Sequence, residues 1–109
     1  MESQLAHVDS TVFEDRVLIA ITGEIDLSNA DELRAKLSAE TADQTSVDMD
    51  LSRVEFMDSQ GIRLLMELNQ TLDSSGGQLR VAAPKDSIVG EILELTQTNN
   101  VVTVVDSFD

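Results

Sequence analysis

The sequence alternates between short β-rich runs and stretches with helical periodicity, and this order restricts the fold more than any other feature. Two β-rich runs between residues 11 and 23 are joined at residues 14–16, which predicts an opening hairpin whose second strand ends at Gly23. Each later strand pattern follows one helical stretch; these patterns are 46–52, 78–83 and 101–105. Strands separated by single helices usually pair in parallel through right-handed crossovers. The order β-β-α-β-α-β-α-β therefore predicts an α/β domain with a mixed, mostly parallel sheet.

Polar, glycine and proline residues mark the expected ends of the three helices. Ser28, followed three residues later by Asp31, is a start signal for the first helix. We expect the Gly-Gly pair at 76–77 to stop the second helix, and Pro84 to open a third that reaches about Gln97. No internal repeat, linker or low-complexity stretch interrupts this series, so the pattern describes a single unit.

The length and composition of the chain set further limits. Its 109 residues fit one domain, which we expect to span residues 1–109. The absence of cysteine excludes a disulfide framework, a thiol nucleophile and a thiolate metal site. There is no run of about 18 apolar residues, and the first ten residues are acidic and polar, unlike a signal peptide. We therefore expect a cytoplasmic protein that does not associate with membranes.

The formal net charge of -14, from 21 acidic and 7 basic residues, restricts the choice of partner. A field of this sign repels phosphate backbones and anionic membranes, so binding to nucleic acid is not expected. A basic or mixed-charge protein is the easier partner to accommodate. The charge taken alone is equally consistent with a role in solubility.

The stretch "FMDSQGIRLLMEL" at 56–68 contains the most informative turn. Ser59 lies in the loop between a strand and the second helix, where sites are built in α/β folds. The first N–H groups of a helix lack intrahelical partners and attract anions, so a phosphate on a residue there would be well placed. Gly61 lets the backbone approach closely. The alternative is that Asp58 or Ser59 is simply an N-cap.

Other kinds of site have little support in the sequence. His7 is the single histidine, and Ser59 lacks the Gly-x-Ser-x-Gly elbow of a hydrolase nucleophile, so we expect no catalytic residue. Asp48 and Asp50 are interpreted as a solvated strand face, because the spacing of a calcium loop is missing and no metal site is expected. The Gly-rich stretch at 74–78 follows a helix and lacks a phosphate-binding lysine. No cofactor is therefore expected.

Three segments together resemble a known family. "VEFMDSQGIRLL" at 54–65 resembles the signature of STAS domains, specifically of the stand-alone anti-sigma factor antagonists, in which an Asp-Ser-(Ser/Thr)-Gly turn leads into a helix. "ITGEIDLSNADELRAKL" at 21–37 resembles the segment after that family's second strand, and 76–107 resembles the strand, helix and strand that follow. The resemblance extends over about residues 5–107 and implies a single STAS-like domain.

The resemblance also implies a function. In this family the unphosphorylated protein binds an anti-sigma factor that is also an ATP-binding serine kinase, and thereby frees a sigma factor. Phosphorylation of the serine in the motif causes release, and a serine phosphatase resets the protein. By this resemblance the phosphoacceptor is Ser59. The alternative function is a STAS module without phosphoregulation, which binds a protein or a small anion in another signalling pathway.

The same resemblance implies a partner-binding surface composed of Asp26, Asp58, Ser59, Gln60, Gly61 and Arg63. Asp58 is expected to orient the hydroxyl group or contact the partner, and Asp26 to flank the same surface. Arg63 is expected to pair with Asp58, with a phosphate or with a carboxylate of the partner, unless it is merely solvated. The chain departs from the family pattern at Gln60, where a second hydroxyl residue is common, so Ser59 is the unambiguous acceptor.

Overall fold

Three helices alternate with the last four of five strands, in the order that the sequence predicts. The computed structural model describes residues 6–108, so residues 1–5 and 109 of the expected domain, including Leu5 at the start of its core, lie outside the described part. The elements are β1 (Ala6–Val12), β2 (Val17–Ile25), α1 (Ala30–Thr41), β3 (Ser46–Met57), α2 (Ser59–Ser74), β4 (Gln78–Ala82), α3 (Ile88–Leu95), a short 3-10 turn (Thr98–Asn100) and β5 (Thr103–Val105). Among these residues, no helix combines the length and apolarity needed to cross a bilayer.

The five strands form one mixed sheet in the order β1-β2-β3-β4-β5. β1 and β2 are antiparallel and form the expected hairpin, whose turn is closed by a 2.7 Å hydrogen bond from the Phe13 N–H to the Arg16 carbonyl. β2, β3, β4 and β5 are mutually parallel, so the carboxyl ends of β2 and β3 meet at one edge. The prediction of an α/β domain with a mostly parallel sheet is confirmed.

One face of the sheet supplies the centre of the core. Ile19, Met49 and Val81 occupy neighbouring positions on β2, β3 and β4, and all three are almost completely buried. Side chains alternate between the two faces of a strand, so the residues between them form a second row on the opposite face. In that row Leu18 and Arg80 are only half-buried. The core therefore lies mainly on one side of the sheet.

β2 and β3 both continue beyond their predicted ends. Gly23 was expected to end β2, but the strand runs to Ile25, because Gly23 adopts a φ of 95° that a residue without a Cβ tolerates. β3 was expected over 46–52 and extends to Met57, with register irregularities opposite β2. These extensions carry both strands to the edge at which Ser59 lies.

The predicted helix starts were partly wrong, since the residues at the N-cap positions differ from those expected. The N-cap of α1 is Asn29 rather than Ser28. α3 begins after Ser87, whose Oγ accepts a 3.0 Å hydrogen bond from the Gly90 N–H, so Pro84 precedes the helix by a turn. The predicted stop of α2 at the Gly-Gly pair is confirmed.

Asp48 is not part of a solvated strand face, as the sequence suggested. Its side chain is 5% exposed and forms a bidentate ion pair with Arg80, with Nε–Oδ1 at 2.9 Å and Nη2–Oδ2 at 2.6 Å. Arg16 Nε approaches Oδ2 at 3.3 Å. The hydrogen bond to Asp48 raises the pKa of Arg80 above the usual arginine value. The ring centroids of Phe13 and Phe108 lie 5.7 and 5.1 Å from the guanidinium carbons of Arg16 and Arg80, respectively.

Candidate functional site

Ser59 is the first residue of α2 and lies directly after the carboxyl end of β3. At this edge Met57 pairs with Ile25 at the end of β2, and the Asp58 N–H donates to the Ile25 carbonyl at 3.1 Å. The start of α2 is thereby joined to the end of β2. Ser59 itself is exposed, and its hydroxyl group forms no hydrogen bond within residues 6–108.

Asp58 is the N-cap of α2 and also connects the two loops. Its backbone is extended, and Oδ1 accepts a 2.8 Å hydrogen bond from the Gln60 N–H, which has no intrahelical partner. Oδ2 accepts a 3.1 Å hydrogen bond from the Leu27 N–H in the β2–α1 loop. Both carboxylate oxygens are therefore engaged by backbone groups, and Asp58 makes no contact that orients the Ser59 hydroxyl group.

The β2–α1 loop is fixed by side chains of its own. Asn29 is buried; its Nδ2 donates to the Glu24 carbonyl at 2.8 Å and its Oδ1 accepts from the Asp26 N–H at 3.0 Å. Asp26 Oδ1 in turn accepts from both the N–H and the hydroxyl group of Ser28. The half-buried Asp26 thus lies on the loop that Asp58 contacts, and its hydrogen bonds shape that loop. Sequence reasoning missed Asn29, for which only its residue type at a helix start gave a signal.

Gly61 faces the interior of the domain. A Cβ at this position would collide with the Met57 side chain and approach Ile25 Cγ2 at 3.1 Å. The first turn of α2 therefore packs directly on the ends of β2 and β3. The close approach at Gly61 is between the helix and its own strands, so the approach to an anion stays a prediction.

Gln60 and Arg63 occupy different environments at the start of α2. Gln60 is half-buried, and its N–H donates a hydrogen bond to the Asp58 carboxylate. Arg63 is exposed and forms no ion pair or hydrogen bond with any residue that the structure describes, so the expected pairing with Asp58 is absent. This guanidinium group lies about one helical turn beyond Ser59 and is available to bind an anion.

The N-terminus of α2 offers fewer free donors than the sequence suggested. The Gln60 N–H donates to the side chain of Asp58, and the Gly61 N–H donates to the backbone carbonyl of Asp58 at 3.0 Å. The N–H of Ser59 has no acceptor among the described residues. A phosphate on Ser59 would therefore meet the positive end of the helix dipole but compete with Asp58 for donors.

Exposed apolar side chains lie at the same edge of the sheet. Leu27, on the loop bound to Asp58, is 74% exposed, and Phe56, near the end of β3, is 47% exposed. Met57 is buried and Ile62 is half-buried. Leu27, Phe56 and, in part, Ile62 are thus accessible apolar side chains near Ser59.

A family model described as the STAS domain matches residues 4–109. The chain belongs to the STAS domain family. The resemblance seen in the sequence is therefore confirmed, and the strand and helix order described above is that of a STAS-like domain.

Solved structures agree with this STAS fold. An anti-sigma factor antagonist from Mycobacterium paratuberculosis has 24% identity and a TM-score of 0.84, covering 95% of this chain and 88% of its own. A putative anti-sigma factor antagonist from Thermotoga maritima has 21% identity and a TM-score of 0.82, covering 93% and 87%, respectively. The Bacillus cell fate determinant SpoIIAA, in its phosphorylated form, has 20% identity and a TM-score of 0.68, covering 91% of each chain.

Proposed function

We propose that this STAS domain is an anti-sigma factor antagonist controlled by phosphorylation of Ser59. Its unphosphorylated form binds an anti-sigma factor that is also a serine kinase, and so frees a sigma factor. Phosphorylation of Ser59 causes release, and a serine phosphatase restores binding. The observation that carries the proposal is the exposed Ser59 hydroxyl group, which lacks a hydrogen-bond partner among residues 6–108 and lies in the family's motif.

Two further observations support this function. The similar structures include proteins described as anti-sigma factor antagonists, and one of them is in a phosphorylated form. The net charge of -14 disfavours nucleic acid and anionic membranes and suits a basic or mixed-charge protein partner. The kinase partner binds ATP, so the domain itself needs no cofactor and catalyses no reaction in this scheme. The sigma factor acts in the cytoplasm, where we place this domain.

The proposed switch acts through local charge. A phosphate adds about -1.5 to -2 charges at Ser59, beside the carboxylates of Asp58 and, on the adjoining loop, Asp26. Each loss of about 1.4 kcal/mol at the contact weakens binding tenfold. Two or three such losses dissociate a micromolar complex without a change of fold.

The test is capture of partner proteins from source-cell lysate by matched baits, with mass-spectrometric identification. Wild type and Ser59→Ala are expected to retain a protein with a histidine-kinase-like ATPase domain, and Ser59→Glu is expected to lose it. Ser38→Glu is the control, since it adds the same charge at an exposed serine on α1, outside the Ser59 loop.

Two results would count against the phosphorylation switch. If all four baits capture the same proteins, Ser59 has no regulatory role and the alternative of a STAS module without phosphoregulation is favoured. If Ser38→Glu releases the partner as fully as Ser59→Glu, total charge rather than the position of the charge governs binding.

A further inference from the structure

Leu27 is an exposed leucine on a loop whose backbone is unusually well fixed. The side chain is 74% exposed. Its own N–H is held by Asp58 at 3.1 Å, and the residues on either side of it, Asp26 and Ser28, are tied by the bonds among Asn29, Asp26 and Ser28. Loops are generally mobile, whereas this one has hydrogen-bonded backbone groups at and beside an apolar side chain that lies in solvent.

Preorganisation of this kind favours a contact residue. A loop whose backbone is already ordered loses less conformational freedom on binding, so more of the contact energy appears as affinity. The chain has no tryptophan or tyrosine, which are the usual anchors of interfaces. An apolar anchor in this chain must therefore be an aliphatic residue, a methionine or a phenylalanine. Leu27 and Phe56 are exposed candidates at the Ser59 edge, which is the edge of the sheet where the carboxyl ends of β2 and β3 meet the start of α2.

The charges at this edge indicate the chemistry of the partner. Glu24, Asp26, Glu55 and Asp58 lie on the last residues of β2 and β3 and on the loops that follow them. Arg53 and Arg63 are the cations close to them in sequence, and the whole chain is strongly acidic. An apolar pocket bordered by basic side chains is complementary to a leucine in such surroundings.

We infer that Leu27 is the apolar anchor of the surface around Ser59, that Asp58 is the residue that positions it, and that it enters an apolar pocket with a basic rim on the partner protein. This inference rests on the proposed function and names the contact that Ser59 controls. Asp58 joins the Leu27 N–H to the Gln60 N–H beside Ser59. A phosphate on Ser59 competes for the Gln60 N–H, displaces Asp58 and releases the loop that carries Leu27.

The first test uses the protein that the wild-type bait retains. That protein is purified, and its affinity for the isolated domain is measured. Leu27→Ala is expected to weaken binding by about tenfold or more. Leu95→Ala is the matched control, because Leu95 is 83% exposed at the end of α3 and carries no such network. It is expected to change affinity by less than about twofold.

The outcomes separate this inference from the proposed function. Loss of binding with Leu27→Ala and not with Ser59→Glu supports the anchor and rejects the switch. Loss with Ser59→Glu and not with Leu27→Ala rejects the anchor and keeps the switch. The inference is overturned if the Leu27→Ala and Leu95→Ala variants bind with equal affinity. It is also overturned if the wild-type bait retains no more protein than the Leu27→Ala bait.

The second test examines the role of Asp58 without a partner. Asp58→Asn keeps one oxygen to cap the Gln60 N–H, but places an N–H₂ group opposite the Leu27 N–H. Amide hydrogen exchange of Leu27 is expected to accelerate about tenfold or more, with Gln60 much less affected. The same acceleration is expected when phosphoserine is installed at position 59. Unchanged exchange of Leu27 in both proteins overturns the positioning role of Asp58.

Discussion

Asp48 is stabilised within the sheet by two arginines from distant parts of the chain. Arg80 comes from the adjacent strand β4 and Arg16 from the hairpin turn. A carboxylate that is 5% exposed loses most of its hydration, so its ion pairs and hydrogen bonds must replace the lost water. The cluster thus links the first hairpin to the later part of the sheet.

Replacement of Asp48 by alanine is expected to destabilise the domain by about 2 kcal/mol. Loss of one member of a fully buried pair costs about 3–5 kcal/mol, and the arginines here are partly exposed, which lowers the effect. The midpoint of urea unfolding measures this change. Asp43→Ala, at an exposed carboxylate with no ion pair among the described residues, is the control. Equal midpoints for the two variants would contradict the structural role of Asp48.

At the level of single residues, the sequence indicated a candidate site but not the hydrogen bonds around it. Asp58-Ser59 was recognisable because polar residues follow a strand and precede a helical pattern. Asp58 accepts a hydrogen bond from the N–H of Leu27, which lies 31 residues away in sequence, and no local pattern encodes that contact. Asp48 was misjudged for the same reason, because strand periodicity takes no account of arginines on other elements.

At the level of elements, the type and order of strands and helices were predictable and their ends were not. Hydrophobic periodicity identifies an element from many residues at once. An end depends on one or two capping groups, and several residues near each end are chemically suitable. Ser28 and Ser87 illustrate this. Both precede a helix, but only the Ser87 hydroxyl oxygen accepts a capping hydrogen bond, from the Gly90 N–H.

The two serines provide a matched test of this assignment. Ser87→Ala is expected to lower the free energy of unfolding by about 1 kcal/mol, because the Gly90 N–H loses its cap and the Pro84 carbonyl loses a donor. Ser28→Ala is expected to change it by less than about 0.5 kcal/mol, because its hydroxyl group bonds only to the partly exposed Asp26. Thermal or urea unfolding distinguishes the two variants. A larger loss for Ser28→Ala would mean that the sequence-based cap was correct.

The whole molecule carries its negative charge over a small volume, with a Cα radius of gyration of 12.7 Å. At low ionic strength the Debye length exceeds this radius, so carboxylates across the domain repel one another. We expect the melting temperature to rise by a few degrees between about 10 and 200 mM NaCl, as screening relieves this repulsion. Differential scanning calorimetry measures the shift, and an equal osmolality of trehalose is the control. A melting temperature that falls or stays constant with salt would contradict this electrostatic account.

The strand order of the sheet is also the order of the chain. Each new strand from β2 onward pairs with the strand synthesised just before it, so no strand must wait for a later one to supply its neighbour. A chain that leaves the ribosome amino end first can extend the sheet step by step, with one helix preceding each strand from β3 onward. The Ser59 edge is complete once β3 and the first turn of α2 have emerged, before β4 and β5 are made.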